Sequence, residues 1–428
     1  MGCIAGWMTG IEDKPSYRTH AMNPPLIFAA IALAALTIAA FGERGGAMAG
    51  AALIGGFAGF ALYHASFGFT AAWRRIVRER RGAGLRAQML LIGLTCLVAF
   101  PLFQYGEAIG VDARGYILPM GVASAFGAFV FGAGMQLGGG CASGTLFTVG
   151  GGSTRMAIVL IFFIIGSVVA TAHWEFWTKP IKDPMLLDRN YAVLKDIVTY
   201  RLNDNRGVSL VREFGAFGAL GLMAAALGLI ALASAMIERR AHGVLETPKP
   251  TGSLLTGPWS LVAGAVALAI VGILCFIVLG RPWGVTAGFA LWGTKAYTAM
   301  GGDVSDWIYW SGWRRGQLNG SLLANGTSVM NFGIVFGAMA AAALAGKFAP
   351  VWKLSTRDLL TAIIGGLMMG YGARLAYGCN IGAYLGGLVS GSLHGWWWLI
   401  WGFAGSYLGV WMRRILSMDP PLSPKPAI

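Results

Sequence analysis

Residues 132–144 read GAGMQLGGGCASG, and residues 370–382 read GYGARLAYGCNIG. Both fit G-x-G-x-x-L-x-x-G-C-x-x-G, and both follow an apolar segment. A cysteine is thus set twice into a glycine-rich break, once in each half of the chain. A second pair of stretches supports the duplication: FGFT at 67–70 and WGVT at 283–286. Duplicated helix breaks in an apolar chain point to a ligand path built from two internal repeats.

The surrounding composition is that of a membrane protein. Of 428 residues, 56% are hydrophobic and 12% charged, where soluble domains carry about 25% charged residues. The 65 glycines suit close helix approach and backbone breaks. The net charge of +14 comes from basic residues in short loops between apolar runs. That is a positive-inside pattern and not a nucleic-acid surface. Five cysteines (Cys3, Cys96, Cys141, Cys275 and Cys379) lie far apart, with no C-x-x-C. Neither a disulfide framework nor a zinc site is expected, and no cofactor is implied. No Walker, GxSxG or HExxH motif occurs, so hydrolytic chemistry has no support. The N-terminal region lacks the features of a cleaved signal.

A span needs about 20 mostly apolar residues. By that measure spans are predicted at 25–41, 46–67, 88–105, 116–137, 155–173, 213–237, 258–280, 327–346, 359–377 and 394–412. The weakly apolar piece 285–300 and the two cysteine stretches are expected to be short re-entrant helices. The fold class is an all-α polytopic membrane protein, embedded in the lipid bilayer. The basic segments 74–86, 238–249, 347–357 and the C-terminus fall on one side, which the charge rule assigns to the cytoplasm. Residues 1–24 are then a cytoplasmic tail, 25–173 a first repeat and 174–212 an extracytoplasmic connection. Residues 213–412 form a second repeat, and 413–428 a second cytoplasmic tail. Five spans per repeat turn the second upside down relative to the first.

The site candidates cluster at the breaks. Gly140 and Gly144 flank Cys141, and Gly378 and Gly382 flank Cys379. Glycine strips shielding side chains from a thiol and frees backbone N–H groups for an anion. A helix starting after each cysteine would add its positive end. Ser143 and Asn380 are polar neighbours of the thiols. Thr70 and Thr286 close the FGFT and WGVT stretches, where a hydroxyl either meets an anion or caps the next helix. Arg374 precedes Cys379 near a span end, and Gln136 is its counterpart. An arginine there either serves a ligand or snorkels to the interface. Cys96 and Cys275 read as plain core residues. The tryptophans at 307–313 and 396–401 read as interfacial belts, and His394 as an interface residue.

The doubled L-x-x-G-C-x-x-G, with FGFT and WGVT upstream, resembles the YeeE/YedE family of bacterial inner-membrane proteins from about residue 46 to 412. The resemblance implies uptake of thiosulfate or a related sulfur-containing anion through an hourglass-shaped inverted-repeat fold. The motif cysteines, here Cys141 and Cys379, would meet the ion by S–H···S contacts. Some members place a third cysteine where this chain has Gly68. Longer members are linked to selenium, so the resemblance implies a selenium-containing ion as an alternative cargo. A cytoplasmic sulfur-carrier protein is a family-level expectation. Two other classes stay open: a membrane thiol–disulfide or sulfur-transfer enzyme using the same cysteines, and a channel for an unrelated anion.

Overall fold

A computed structural model describes residues 23–178, 207–350 and 352–419. Cys3, most of the predicted N-terminal tail, residues 179–206 of the predicted connection and 420–428 of the C-terminal tail lie outside the described residues. The first half contains α1 (Pro24–Arg44), α2 (Gly46–Ala65), α3 (Phe69–Arg78), α4 (Ala83–Tyr105), α5 (Val122–Gly138), α6 (Ala142–Gly150), α7 (Thr154–Ala172) and the short α8 (Trp174–Thr178). The second half contains α9 (Leu210–His242), α10 (Leu261–Leu279), α11 (Thr286–Ala299), α12 (Trp313–Asn319), α13 (Gly326–Leu344) and α14 (Thr356–Leu375). It ends with a π-helical turn (Asn380–Leu385) leading into α15 (Gly386–Val389), then α16 (Leu393–Ile415).

The helices start where the sequence offers caps. Side chains of Asn23, Ser153, Ser209, Ser260, Asn325 and Ser355 each accept a backbone N–H at the head of a helix, satisfying donors the helix leaves free. Nine helical segments among the described residues are long and apolar enough to cross a membrane, so the chain is a multi-pass membrane protein. The tenth predicted span is α16, 23 residues long and thus about 34 Å. Its tryptophans and terminal Arg413 and Arg414 make it less apolar than the rest. Two boundaries move. The span predicted from 116 starts as a helix only at Val122, and α9 runs 33 residues with a non-helical Gly215 near its start.

Glycine decides how closely these helices meet. In α2, Gly55 and Gly59 lie against the backbone of Met330 and Ile334 in α13, while Gly333 and Gly337 answer from the other side. Gly132, Gly405 and Gly409 do the same between α5 and α16, and Gly166 and Gly370 between α7 and α14. A methyl group at any of these positions would strike backbone, which cannot move aside. Such contacts replace the hydrophobic effect as the source of helix association in lipid.

Many of the packing pairs are reciprocal, although the close α1–α2 pair has no comparable α9–α10 counterpart. Exchange α1 with α9, α2 with α10, α3 with α11, α4 with α13, α5 with α14 and α7 with α16. The α7–α14 contact then becomes α16–α5, α1–α13 becomes α9–α4, and α3–α16 becomes α11–α7, all of which exist. The pairs α2–α10 and α5–α14 map onto themselves.

The four basic segments converge. Arg75 pairs with Glu246 at 3.0 Å and Arg78 with Asp419 at 4.0 Å. Arg357 donates to the carbonyls of Leu416 and Ser417 at 3.3 and 2.8 Å. Asn23 donates to the carbonyl of Ala343 at 2.8 Å. One face of the molecule therefore carries the basic segments and the start of α1, and we call it the basic face. Asp419 sits there among Arg413, Arg74 and Arg78. Burial pushes its carboxyl up, but the Arg413 hydrogen bond and the three guanidinium charges outweigh that and hold it below the usual range.

Candidate functional site

The two cysteine stretches form the same local structure. Cys141 is the N-cap of α6 with φ −81° and ψ −172°. Cys379 is the N-cap of the π turn with φ −94° and ψ −167°. Two residues earlier the backbone turns left-handed in both, at Gly139 (φ +90°) and at Tyr377 (φ +62°). Only glycine does this without cost. The Tyr377 strain shows that the turn is imposed by the surrounding packing. After it the copies differ. The Thr145 N–H bonds the Cys141 carbonyl at 2.7 Å, an α-type bond, whereas both Ala383 and Tyr384 N–H reach the Cys379 carbonyl, at 2.8 and 3.3 Å. That extra residue is the π bulge, a feature concentrated at functional sites.

The half-helices head for opposite faces. The turn after α6 abuts Ala349 and Pro350 next to the basic face through Gly152. The end of α15 abuts the other face. There Ser390 Oγ accepts the Tyr116 N–H at 2.9 Å, and the Leu393 N–H bonds the Val208 carbonyl at 3.1 Å. Between the faces, α6 and the π turn touch each other. Cys141 and Cys379, at the heads of these two touching elements, thus come into one neighbourhood, and both thiols are free and buried. The N–H groups of Ser143 and Gly144 lie around the Cys141 sulfur, and those of Ile381 and Gly382 around the Cys379 sulfur. Neither side chain makes a regular capping hydrogen bond to its helix. Cys141 Sγ lies 3.4 Å from Ser143 Oγ.

The predicted glycines divide into two kinds. A methyl on Gly140 would meet Met156 Cε at 2.9 Å, and one on Gly378 would meet the Ala383 nitrogen at 2.8 Å. Gly378 is thus a packing glycine held against backbone, whereas at Gly140 only the flexible end of Met156 would have to shift. A methyl on Gly144 would meet nothing nearer than Cys141 Sγ at 3.6 Å, and one on Gly382 nothing nearer than Gly284 Cα at 3.8 Å. Gly284 of WGVT and Gly68 of FGFT are equally unhindered, at 3.9 and 3.8 Å. Each of the four thus has room at its missing side chain, although Gly144 and Gly382 are buried.

Asn380 is fully buried, yet neither atom of its amide has a hydrogen-bond partner among the described residues. The same holds for Thr70 Oγ1. Thr286 differs, because Arg374 Nη2 donates to its hydroxyl at 2.9 Å and Arg374 Nη1 to the Tyr309 hydroxyl at 2.7 Å. Arg374 is 5% exposed, so it does not snorkel to the interface. Gln136 has the parallel task, donating to the Thr70 carbonyl at 3.1 Å and to Ser406 Oγ at 2.8 Å. Each residue ties its cysteine stretch to the threonine stretch of its own half.

Several expectations need correction. The basic segment 74–86 is not all loop: its Arg74, Arg75 and Arg78 sit on α3, whose Phe69, Thr70, Ala72, Trp73 and Ile76 are buried. The apolar positions at helical spacing were the signal. Trp398 is not an interfacial residue: it is 1% exposed and donates to the Gly378 carbonyl at 3.3 Å. It also stacks on Tyr384, ring centroids 6.0 Å apart. Trp310 and His394 are likewise buried. Lys295 donates to the Leu318 and Gly320 carbonyls at 2.6 Å and ties down the segment after α11.

Comparison with known proteins agrees with this build. The sulphur transport family profile matches residues 64–408. The thiosulfate transporter TsuA of Spirochaeta thermophila is 26% identical over 370 residues, covering 84% of this chain and 97% of that protein. TsuA of Escherichia coli is 24% identical over 387 residues, covering 86% and 94%. The probable transporter YedE of Escherichia coli is 33% identical over 180 residues, 39% of this chain, and the match spans only 44% of YedE. A profile that takes in both cysteine stretches, both threonine stretches and every half-helix leaves one conclusion: the chain belongs to the sulphur transport family.

Proposed function

We propose that the protein imports thiosulfate, or a closely related sulfur-containing anion, along a path that touches Cys379 and then Cys141. The observation that carries this reading is the buried Asn380 amide beside Cys379, which has no hydrogen-bond partner among the described residues and lies two residues from the unhindered Gly382. Such a group costs about 1–3 kcal/mol unless something hydrogen-bonds it, and an oxyanion supplies acceptors. The N–H groups around each thiol stabilise the negative charge. The thiols offer weak S–H donors to a terminal sulfur. Weak contacts at successive sites suit conduction, because an ion held too tightly cannot leave. The names of the TsuA relatives support thiosulfate as the cargo, and a selenium-containing ion is the variant to test beside it.

In this reading residues 25–173 and 213–412 are two inverted repeats in a bacterial inner membrane. The basic face and both termini lie in the cytoplasm, and 174–212 lies outside. The reciprocal packing and the opposite headings of α6 and α15 support it. A cytoplasmic sulfur-carrier protein would receive the ion from the Cys141 side.

Uptake of labelled thiosulfate into proteoliposomes tests the path. Cys141→Ser and Cys379→Ser should each lower the rate at least tenfold, while binding of thiosulfate over sulfate and selenite should weaken in Cys379→Ser. Normal uptake by both serine variants would sink the relay. A Cys141–Cys379 disulfide that cycles with substrate, seen by mass spectrometry, would favour the sulfur-transfer enzyme instead. Uptake with no preference among anions would favour a general channel.

A further inference from the structure

On the face opposite the basic one, the ends of α1 and α10 and the start of α13 border an open-sided cavity of about 230 Å³, with Arg44 exposed at its rim. That is below the size of drug-binding pockets and suits a small ion. Its lining includes Arg44, Arg281, Gln317 and Asn325, with Met48 and Gly326 beside them. Neither arginine has a carboxylate within ion-pair distance among the described residues, in contrast to Arg75, Arg81, Arg86, Arg114 and Arg413. The nearby loop offers Asp112, whose carbonyl abuts Gly280, but its carboxylate is held by Arg114 at 2.8 Å. Asn325 Oδ1 accepts the Ser328 N–H at 2.9 Å, so its amide NH₂ is left as a donor.

The cavity lies one step from the site already described. Gly326 precedes Thr327, and Arg281 lies just before Trp283 and Gly284. A methyl on Gly284 would meet only the Tyr116 hydroxyl at 3.9 Å and Thr327 Oγ1 at 4.0 Å, and Gly382 in turn faces Gly284. Guanidinium and then hydroxyl groups are a series of donors leading from the cavity toward Gly382, two residues from Asn380. Positive charge in a concave low-dielectric mouth raises the local concentration of anions. Guanidinium matches the geometry of an oxyanion.

We propose that this cavity is the capture site for a small divalent oxyanion, held by Arg44 and Arg281 before it passes Thr327 and Tyr116 to Asn380. The proposal rests on the transport reading above and adds a site outside the cysteine path. With thiosulfate as probe in proteoliposomes, Arg44→Gln and Arg281→Gln should each raise KM by about 5- to 10-fold. The maximal rate should stay within about twofold, since the arginines steer the ion and do not line the narrow path. Added salt should raise the native KM more steeply than that of the double variant, and lysine replacements should restore most of the affinity. An unchanged KM and salt slope in the double variant, with Cys379→Ser still inactive, overturns the capture site and leaves the transport reading standing. A second readout covers variants that do not insert. Ala324→Cys, on the cavity wall, should react faster with iodoacetate relative to iodoacetamide than free cysteine does, and thiosulfate should protect it. A free-cysteine ratio without protection overturns the proposal. Protection without uptake supports the anion site and sinks the transport reading.

Discussion

Asn380 holds a buried amide that no described residue satisfies, which sets stability against function at a single position. Asn380→Leu keeps roughly the same shape and removes the unsatisfied group. It should stabilise the detergent-solubilised protein by about 1–3 kcal/mol and lower thiosulfate uptake at least tenfold. Thermal unfolding beside an uptake assay checks both halves, and loss of both properties would mark Asn380 as structural. The glycines give a matching contrast. Gly144→Ala and Gly382→Ala have room for the methyl, so their unfolding temperatures should stay near native while uptake falls. Gly139→Ala instead forces alanine to φ +90°, which costs about 1–2 kcal/mol. The glycine pattern made these positions legible in the sequence, but it could not separate the open Gly382 from the packed Gly378. Tyr377 was invisible for the same reason. A non-glycine residue in a left-handed turn leaves no compositional mark, and only its alignment with Gly139 reveals it.

Among the elements, the long apolar helices were readable because lipid demands about 20 apolar residues. The half-helices were harder, being shorter and glycine-rich. α3 was missed because its arginines dominate the stretch, although its buried side recurs at helical spacing. What holds α4 and the α3–α4 connection to α9 is a buried charge. Glu238 on α9 is fully buried and pairs with Arg81 at 3.1 Å and Arg86 at 2.8 Å. It also accepts the N–H groups of Gly82 at 3.2 Å and Glu246 at 2.9 Å. Removing one partner of such a cluster strands the others. Glu238→Gln should cost about 3 kcal/mol, the low end of the range for broken buried pairs, because both arginines keep some contact with water. Chemical or thermal unfolding in detergent checks the value. A change under about 0.5 kcal/mol would mean the cluster is a solvated surface pair.

At the scale of the whole molecule, the basic segments predicted to share a side make direct contacts, through Arg75 with Glu246, Arg78 with Asp419 and Arg357 with Leu416. The count of apolar runs and the charge rule carried that information. Nothing in them carried the mouth on the opposite face, because Arg44, Arg281 and Gln317 come from distant points of the chain and meet only in the fold. The proposed direction of transport therefore depends on which face looks outward, and one labelling experiment decides it. The four described cysteines are buried, so a Cys3→Ser background should react little with a membrane-impermeant maleimide. Ala324→Cys places a thiol on the cavity wall. Leu255→Cys places one beside α2's basic-face end, on a side chain 65% exposed. In intact cells Ala324→Cys should label and Leu255→Cys should not, and permeabilisation should expose the second. The opposite result would make Cys141 the first cysteine met from outside, turning an importer into an exporter without altering a contact in the structure. Labelling of both from outside would break the assignment of the two residues to opposite faces, and with it the proposed inverted arrangement of the two halves.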